Sequence, residues 1–272
     1  MLMSFLVLIA FLYIAEVYSV QKPSAIYFVL SGVFIGLAVA AKYTGILLII
    51  PLLGRRFFST KGEKKEISRK LLLSLFVIPL VFFLVNPFVI LDAGKFLKDI
   101  TGELSIATAG FPRAGLANRL GWVNYPLAIY NILGPVLFLL AAGGAFLALY
   151  RRSKNGLLVC SVPVIYYIFL GVFKNSQAHY IFPAIPFTIL IAAYCLADLI
   201  GAIAITGVSR KIKHALAILI CAAAALPSFY ETIYYNRWIN QRDPRIIAKA
   251  WILNNIYTDA RMLIEGVSED IP

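Results

Sequence analysis

The sequence predicts an all-α polytopic membrane protein of about eight transmembrane or membrane-embedded helices, with a long extracytoplasmic loop and the start of an extracytoplasmic C-terminal domain. Three observations predict this class. Hydrophobic residues make up 61% of the 272-residue chain and charged residues only 14%, far from the balance of a soluble domain. Several apolar runs approach or exceed the roughly 20 residues an α-helix needs to cross a bilayer. The period-two alternation of a membrane β-barrel does not occur in the sequence.

The net charge of +12 would suggest a nucleic-acid partner for a soluble protein. Here the basic residues gather between apolar runs, as the positive-inside rule describes, so they orient the chain and no nucleic acid is expected. Cys160, Cys195 and Cys221 fall in three separate apolar segments. Without CxxC spacing they read as small core residues, not as ligands or a disulfide framework.

The first run, Met1 to Val20, lacks the basic n-region and cleavage site of a signal peptide and reads as a spanning helix. Ser24, following Lys22-Pro23, caps the next segment, which runs to Ala41. Lys42-Tyr43-Thr44-Gly45 then interrupts it, and a shorter apolar piece follows from Ile46 to Leu53. Lys42 is the single charge between Ala25 and Leu53. About thirty residues are too many for one untilted span, so this stretch reads as a helix, a turn at the lysine and a short returning helix.

Arg55, Arg56, Lys61, Lys64, Lys65, Arg69 and Lys70 form the strongest charge cluster, expected to be a cytoplasmic loop. Leu71 to Leu91 crosses outward and ends in Asn86-Pro87-Phe88-Val89-Ile90-Leu91-Asp92. Within residues 92–124, the helical spacing of Phe96, Leu97, Ile100 and Leu104 predicts an amphipathic helix in the interface. Gly110-Phe111-Pro112-Arg113-Ala114-Gly115 is a loop by its breakers, and Trp122 and Tyr125 suit an interfacial belt. Further spans are Pro126–Tyr150, Leu157–Phe173, Ile181–Ile205 and roughly Ala215–Phe229, after which the tail stays polar. The domain reading is a helical membrane domain over 1–229, the extracytoplasmic loop 92–124 within it, and an extracytoplasmic region from 230 to 272.

This weaving puts Lys22, the 55–70 cluster, Arg151-Arg152-Ser153-Lys154 and Arg210-Lys211-Ile212-Lys213 on one side, together fourteen of the 25 Lys and Arg. Lys42, the 92–124 loop, the Lys174–Tyr180 connection and the tail share the other. The expected location is therefore integral to the plasma or inner membrane, with the polar elements converging outside the cytoplasm.

A cation at membrane depth costs roughly 3 kcal/mol on insertion scales, which makes Lys42 a functional candidate. At a turn, snorkelling to the headgroups explains it equally well. Its three donors suit a phosphate oxygen, and Tyr43 and Thr44 add hydroxyls. His179 and Tyr180 open a helix on the same side, and Arg113 lies in the loop there. Asp92, Asp99, Glu103 and Asp198 form no close acidic pair and no metal spacing, and no HExxH, P-loop or dinucleotide pattern occurs.

GLAVAAKYTG followed by an apolar run and a basic loop, NPFVILD before a long external loop, and HYIFPAIPFTILIAA as a helix start occur in that order. Asp243-Pro244-Arg245, Ala248, Trp251-Ile252 and Asn255-Ile256 follow in the tail. Together, from Ser24 onward, these stretches resemble the C-terminal part of the GT-C membrane glycosyltransferases, in particular the family 39, protein O-mannosyltransferase and aminoarabinose transferase group. The resemblance implies transfer of a sugar from a polyprenyl-phosphate carrier to a lipid, glycan or protein acceptor. Lys42 with Tyr43 would then meet the donor phosphate, and His179, Tyr180 and Arg113 would line the cavity. No catalytic residue, cofactor or metal ligand is assigned, and a requirement for a divalent cation stays open. In the family an aspartate in the first external loop is the general base, and that loop precedes the segments matched here. The chain is accordingly expected to begin within the family's fourth or fifth span, to stop soon after the external domain begins, and to be inactive alone. The alternative is a transporter or flippase for a lipid-linked or anionic solute, where interrupted helices are common, although neither AKYTG nor NPFVILD has a second copy.

Overall fold

The computed structural model describes residues 2–109, 120–205 and 209–257. Every regular element among them is helical, and six helices are long and apolar enough to cross a membrane. The chain divides into two compact units, residues 1–224 and 225–272.

In the first unit, α1 (Leu2–Ser19) buries Val7, Ala10, Ile14 and Val17 along one stripe, the 3.6-residue period of a packed helix. The helix α2 (Ala25–Ala41) starts where the sequence places it, with Ser24 Oγ accepting the Ile26 N–H at 3.4 Å. It ends at Lys42, which is extended (φ −165°, ψ 130°) and donates its N–H to Ala38 O at 2.9 Å. A 3-10 turn (Tyr43–Leu48) then packs against α2, and α3 (Ile49–Gly54) leads back to the end of α1, where Tyr18 Oη donates to Pro51 O at 2.8 Å. The return is tight: a Cβ on Gly45 would lie 2.6 Å from the carbonyl carbon of Ala38.

Next, α4 (Lys64–Val85) runs beside α2 in the same direction. Lys70 Nζ donates to Pro23 O at 2.8 Å and Ser74 Oγ to Phe28 O at 2.5 Å. Gly32 and Gly36 bring the two backbones together, since Cβ atoms there would meet Ser74 O at 2.9 Å and Ile78 O at 2.7 Å. This Gly-x-x-x-Gly spacing lets membrane helices pack closely. The expected loop 55–70 is therefore shorter, because Lys64–Lys70 belongs to α4, supported there by the Glu66–Lys70 pair one turn apart (2.5 Å).

Arg55 is no loop charge. It is 6% exposed, and its Nε donates to Val17 O at 2.9 Å and its Nη2 to Gln21 O at 3.1 Å, while Nη1 reaches Ser59 Oγ at 2.9 Å. A guanidinium has enough donors to serve the carbonyls left open at the C-terminus of α1, and it ties that terminus to the end of α3.

Pro87 cannot continue α4. After the short α5 (Phe88–Leu91), Asp92 accepts the Lys95 N–H at 3.2 Å and opens α6 (Ala93–Ala109), the expected amphipathic helix. The glycine-bounded loop 110–115, with Arg113, lies outside the described residues. Then α7 (Gly121–Tyr150) bends at Gly134 (φ 71°) before Pro135. Ser153 caps α8 (Lys154–Gly171) through the Gly156 N–H at 3.2 Å. A second 3-10 turn (Ala178–Ala184) leads into α9 (Ile185–Ile205). Arg151, at the end of α7, pairs with both oxygens of Asp198 on α9, and the Phe11 and Phe187 rings meet edge-on at 4.8 Å.

These contacts fix which segments share an end of the first unit. Lys174 and Asn175 N–H groups donate to Ala107 O on α6, and Gly121 N–H to Phe173 O. Phe96 of α6 lies 6.3 Å from the Tyr43 ring. The Lys42 turn, α6 and the 173–180 connection thus gather at one end, and the α1 terminus with residues 55–59 at the other.

The final long helix, α10 (Arg210–Ile239), extends ten residues past Phe229 because no breaker intervenes. In the second unit Asp243 accepts the Arg245 N–H at 2.8 Å and, with Pro244 behind it, starts α11 (Pro244–Asn255). That local capping role accounts for the Asp-Pro-Arg sequence in physical terms.

Candidate functional site

The break between α2 and the 3-10 turn sets the site. A helical residue at 42 would project along α2, whereas the extended backbone sends the Lys42 side chain across to the opposite half of the unit. Its Nζ lies 4.1 Å from the centroid of the Tyr180 ring. A partly desolvated ammonium over an aromatic face gains up to about 2 kcal/mol. Lys42 is half-buried, and burial lowers its pKa below that of a free lysine. Among the described residues it has no ion-pair partner. The lysine is thus turned inward onto a ring, which differs from a snorkelling anchor.

The turn carrying it is braced from both sides. The buried Tyr166 of α8 donates its hydroxyl to Thr44 O at 3.1 Å, and Thr44 Oγ1 lies 3.7 Å from Met3 Sδ. Tyr180 is held by its own connection, with Asn175 Nδ2 donating to its hydroxyl at 3.4 Å. Asn124 Nδ2 donates to Ser176 Oγ at 2.5 Å and fixes that connection to the start of α7.

Of the residues expected from sequence, Lys42, His179 and Tyr180 come together; the exposed His179 ring lies 4.3 Å from that of Tyr180. Tyr43 is a neighbour whose half-exposed ring faces Phe96. Arg113 lies outside the described residues.

Two residues join them that sequence reasoning missed as site members. Tyr125 is fully buried and Asn175 is 4% exposed, yet Tyr125 Oη and Asn175 Oδ1 have no hydrogen-bond partner among the described residues. Buried polar groups are normally satisfied, so each such atom needs an explanation. Asn175 bonds to Tyr180, and Tyr125 belongs to the buried core against which Tyr180 packs. One cation without an ion pair among the described residues and one open acceptor therefore meet at the Tyr180 side chain, with an open hydroxyl in the core against which that side chain packs. Chemically, such a cluster can hold an anion and pair with hydroxyls or water beside it. The available signal was Asn175, a polar residue buried in a connection between two spans.

The described residues offer no group of three His, Cys, Asp or Glu able to hold a metal ion, and Asp198 is engaged by Arg151. No family model, curated protein or solved structure matches the chain.

Proposed function

We propose that the chain forms the membrane part of a GT-C-like glycosyltransferase, with about eight membrane-embedded helices, and that Lys42 receives the phosphate of a polyprenyl-phosphate sugar. The observation that carries the reading is the half-buried Lys42 ammonium, backed by Tyr180 and without a carboxylate partner among the described residues. As the bond from sugar to phosphate oxygen breaks, charge grows on the leaving phosphate. A cation already in place stabilises it without reorganising. Tyr43 and His179 flank the phosphate position in this reading, and deprotonation of the acceptor falls to a carboxylate outside the cluster. The basic residues clustered at the opposite end support an extracytoplasmic orientation for Lys42.

The test is binding of a fluorescent polyprenyl phosphate to the reconstituted chain, compared with the uncharged polyprenol. The expected result is preference for the phosphate, lost in Lys42→Ala and kept in Lys98→Ala, which alters an exposed α6 lysine. Equal binding of phosphate and polyprenol, or unchanged affinity in Lys42→Ala, would overturn the reading.

A second reading, a transporter or flippase for a lipid-linked or anionic solute, is favoured by one observation. Among the described residues, helical runs are interrupted at Lys42 and at Gly134, and discontinuous helices line transporter sites. Uptake of a labelled solute into proteoliposomes, without sugar transfer, distinguishes it.

A further inference from the structure

Away from the Lys42 turn, α7, α8 and α9 line a half-open groove with a volume of about 330 Å³, at the small end of the range for ligand sites. Ala148, Val159, Leu190 and Ile191 give it apolar walls. Ser153 and Asn155, at the α7–α8 connection, and Tyr194 supply polar groups. Ser153 and Asn155 alternate in the chain with Arg152 and Lys154, so these basic residues lie beside the polar part of the lining.

The charges around it do not balance. Arg151 is neutralised by Asp198, one turn beyond Tyr194 on α9. Arg152 and Lys154 are exposed and take part in no ion pair among the described residues. Arg152 occupies the left-handed region (φ 49°), at the turn that reverses the chain into α8. A largely apolar groove between helices, next in sequence to two exposed cations that make no ion pair among the described residues, matches an amphiphile with a hydrocarbon chain and an anionic head.

We propose that this cavity binds an anionic phospholipid, one acyl chain lying along Val159, Leu190 and Ile191 and the phosphate on Arg152 and Lys154. The site is separate from the Lys42 cluster and holds whether or not that cluster binds a sugar donor.

Cys160 lines the cavity and reports its occupancy. With Cys195→Ala and Cys221→Ser, Cys160 is the single thiol of the chain. In nanodiscs, its alkylation by N-ethylmaleimide is expected to be several-fold slower with phosphatidylglycerol present than in phosphatidylcholine alone. Arg152→Gln with Lys154→Gln should abolish that protection and leave the phosphatidylcholine rate unchanged. Native mass spectrometry should find phosphatidylglycerol retained by the parent chain and lost from the double variant. Equal protection by both lipids, protection that survives the double variant, protection by glycerol phosphate alone, or lipid retention without any change at Cys160 would each overturn the proposal.

Discussion

Lys42 and Tyr180 come from opposite halves of the first unit, and the ammonium of one sits 4.1 Å from the ring centroid of the other. Tyr180→Leu removes the ring and leaves the cation. Thermal stability in detergent should fall, since the cation–π contact of up to about 2 kcal/mol and the Asn175 hydrogen bond are lost together, while affinity for a polyprenyl phosphate falls by a larger factor than for polyprenol. A parallel loss for both ligands would show that Tyr180 serves only packing.

The proton on Lys42 gives a pH test. Burial lowers its pKa, so as pH rises it loses its charge before an ordinary lysine, which titrates near pH ~10.4. Phosphate binding should accordingly decline at a lower pH than an exposed lysine would set. Lys42→Arg, which keeps its charge throughout, should remove the decline even if its affinity differs. An unchanged profile in that variant would assign the titration elsewhere.

Tyr125→Phe deletes a buried hydroxyl that lacks a partner among the described residues. Removing such a group relieves a desolvation cost of about 1–3 kcal/mol, so the melting temperature should hold or rise. Where the hydroxyl contacts ligand, affinity should fall in the same variant. A clear drop in melting temperature would mean that the hydroxyl is already satisfied.

Arg55→Gln should destabilise the unit. It strips donors from Val17 and Gln21 carbonyls in a buried setting, and charge-assisted hydrogen bonds contribute about 1.5–3 kcal/mol each. Arg56→Gln, altering the exposed neighbour, is the control and should melt with the parent chain.

Gly36→Leu should open the α2–α4 contact, because the first added atom already meets Ile78 O at 2.7 Å. The melting temperature in detergent should fall, whereas Gly94→Leu, where an added Cβ meets nothing within 4 Å, should melt with the parent chain.

The helices and the break at Lys42 were legible because apolar run length, Ser24 and Lys42 are local signals. The direction of the lysine was not legible, since it depends on a backbone angle at one residue and on a ring from a distant segment. Arg55 illustrates the same limit. Within a run of basic residues it is indistinguishable from Arg56, and only the tertiary path brings the α1 carbonyls to it. Lys64–Lys70 was read as loop because charge suggests solvent, yet the same residues are good helix formers. Tyr125 and Asn175 gave no motif; their significance lies in atoms left without partners after folding.

The hairpin at Lys42 also has a mechanical consequence for the lipid around it. Seventeen residues of α2 rise about 25 Å at 1.5 Å each. The returning leg, six 3-10 and six α-helical residues, covers about 21 Å. Both fall short of a hydrocarbon thickness of about 30 Å. In the proposed orientation, with Lys42 at an outer turn, both legs are shorter than the bilayer core, a mismatch that local thinning of the bilayer accommodates. If Lys42 receives a lipid phosphate as proposed, a thicker bilayer should hinder its arrival without altering a single side chain.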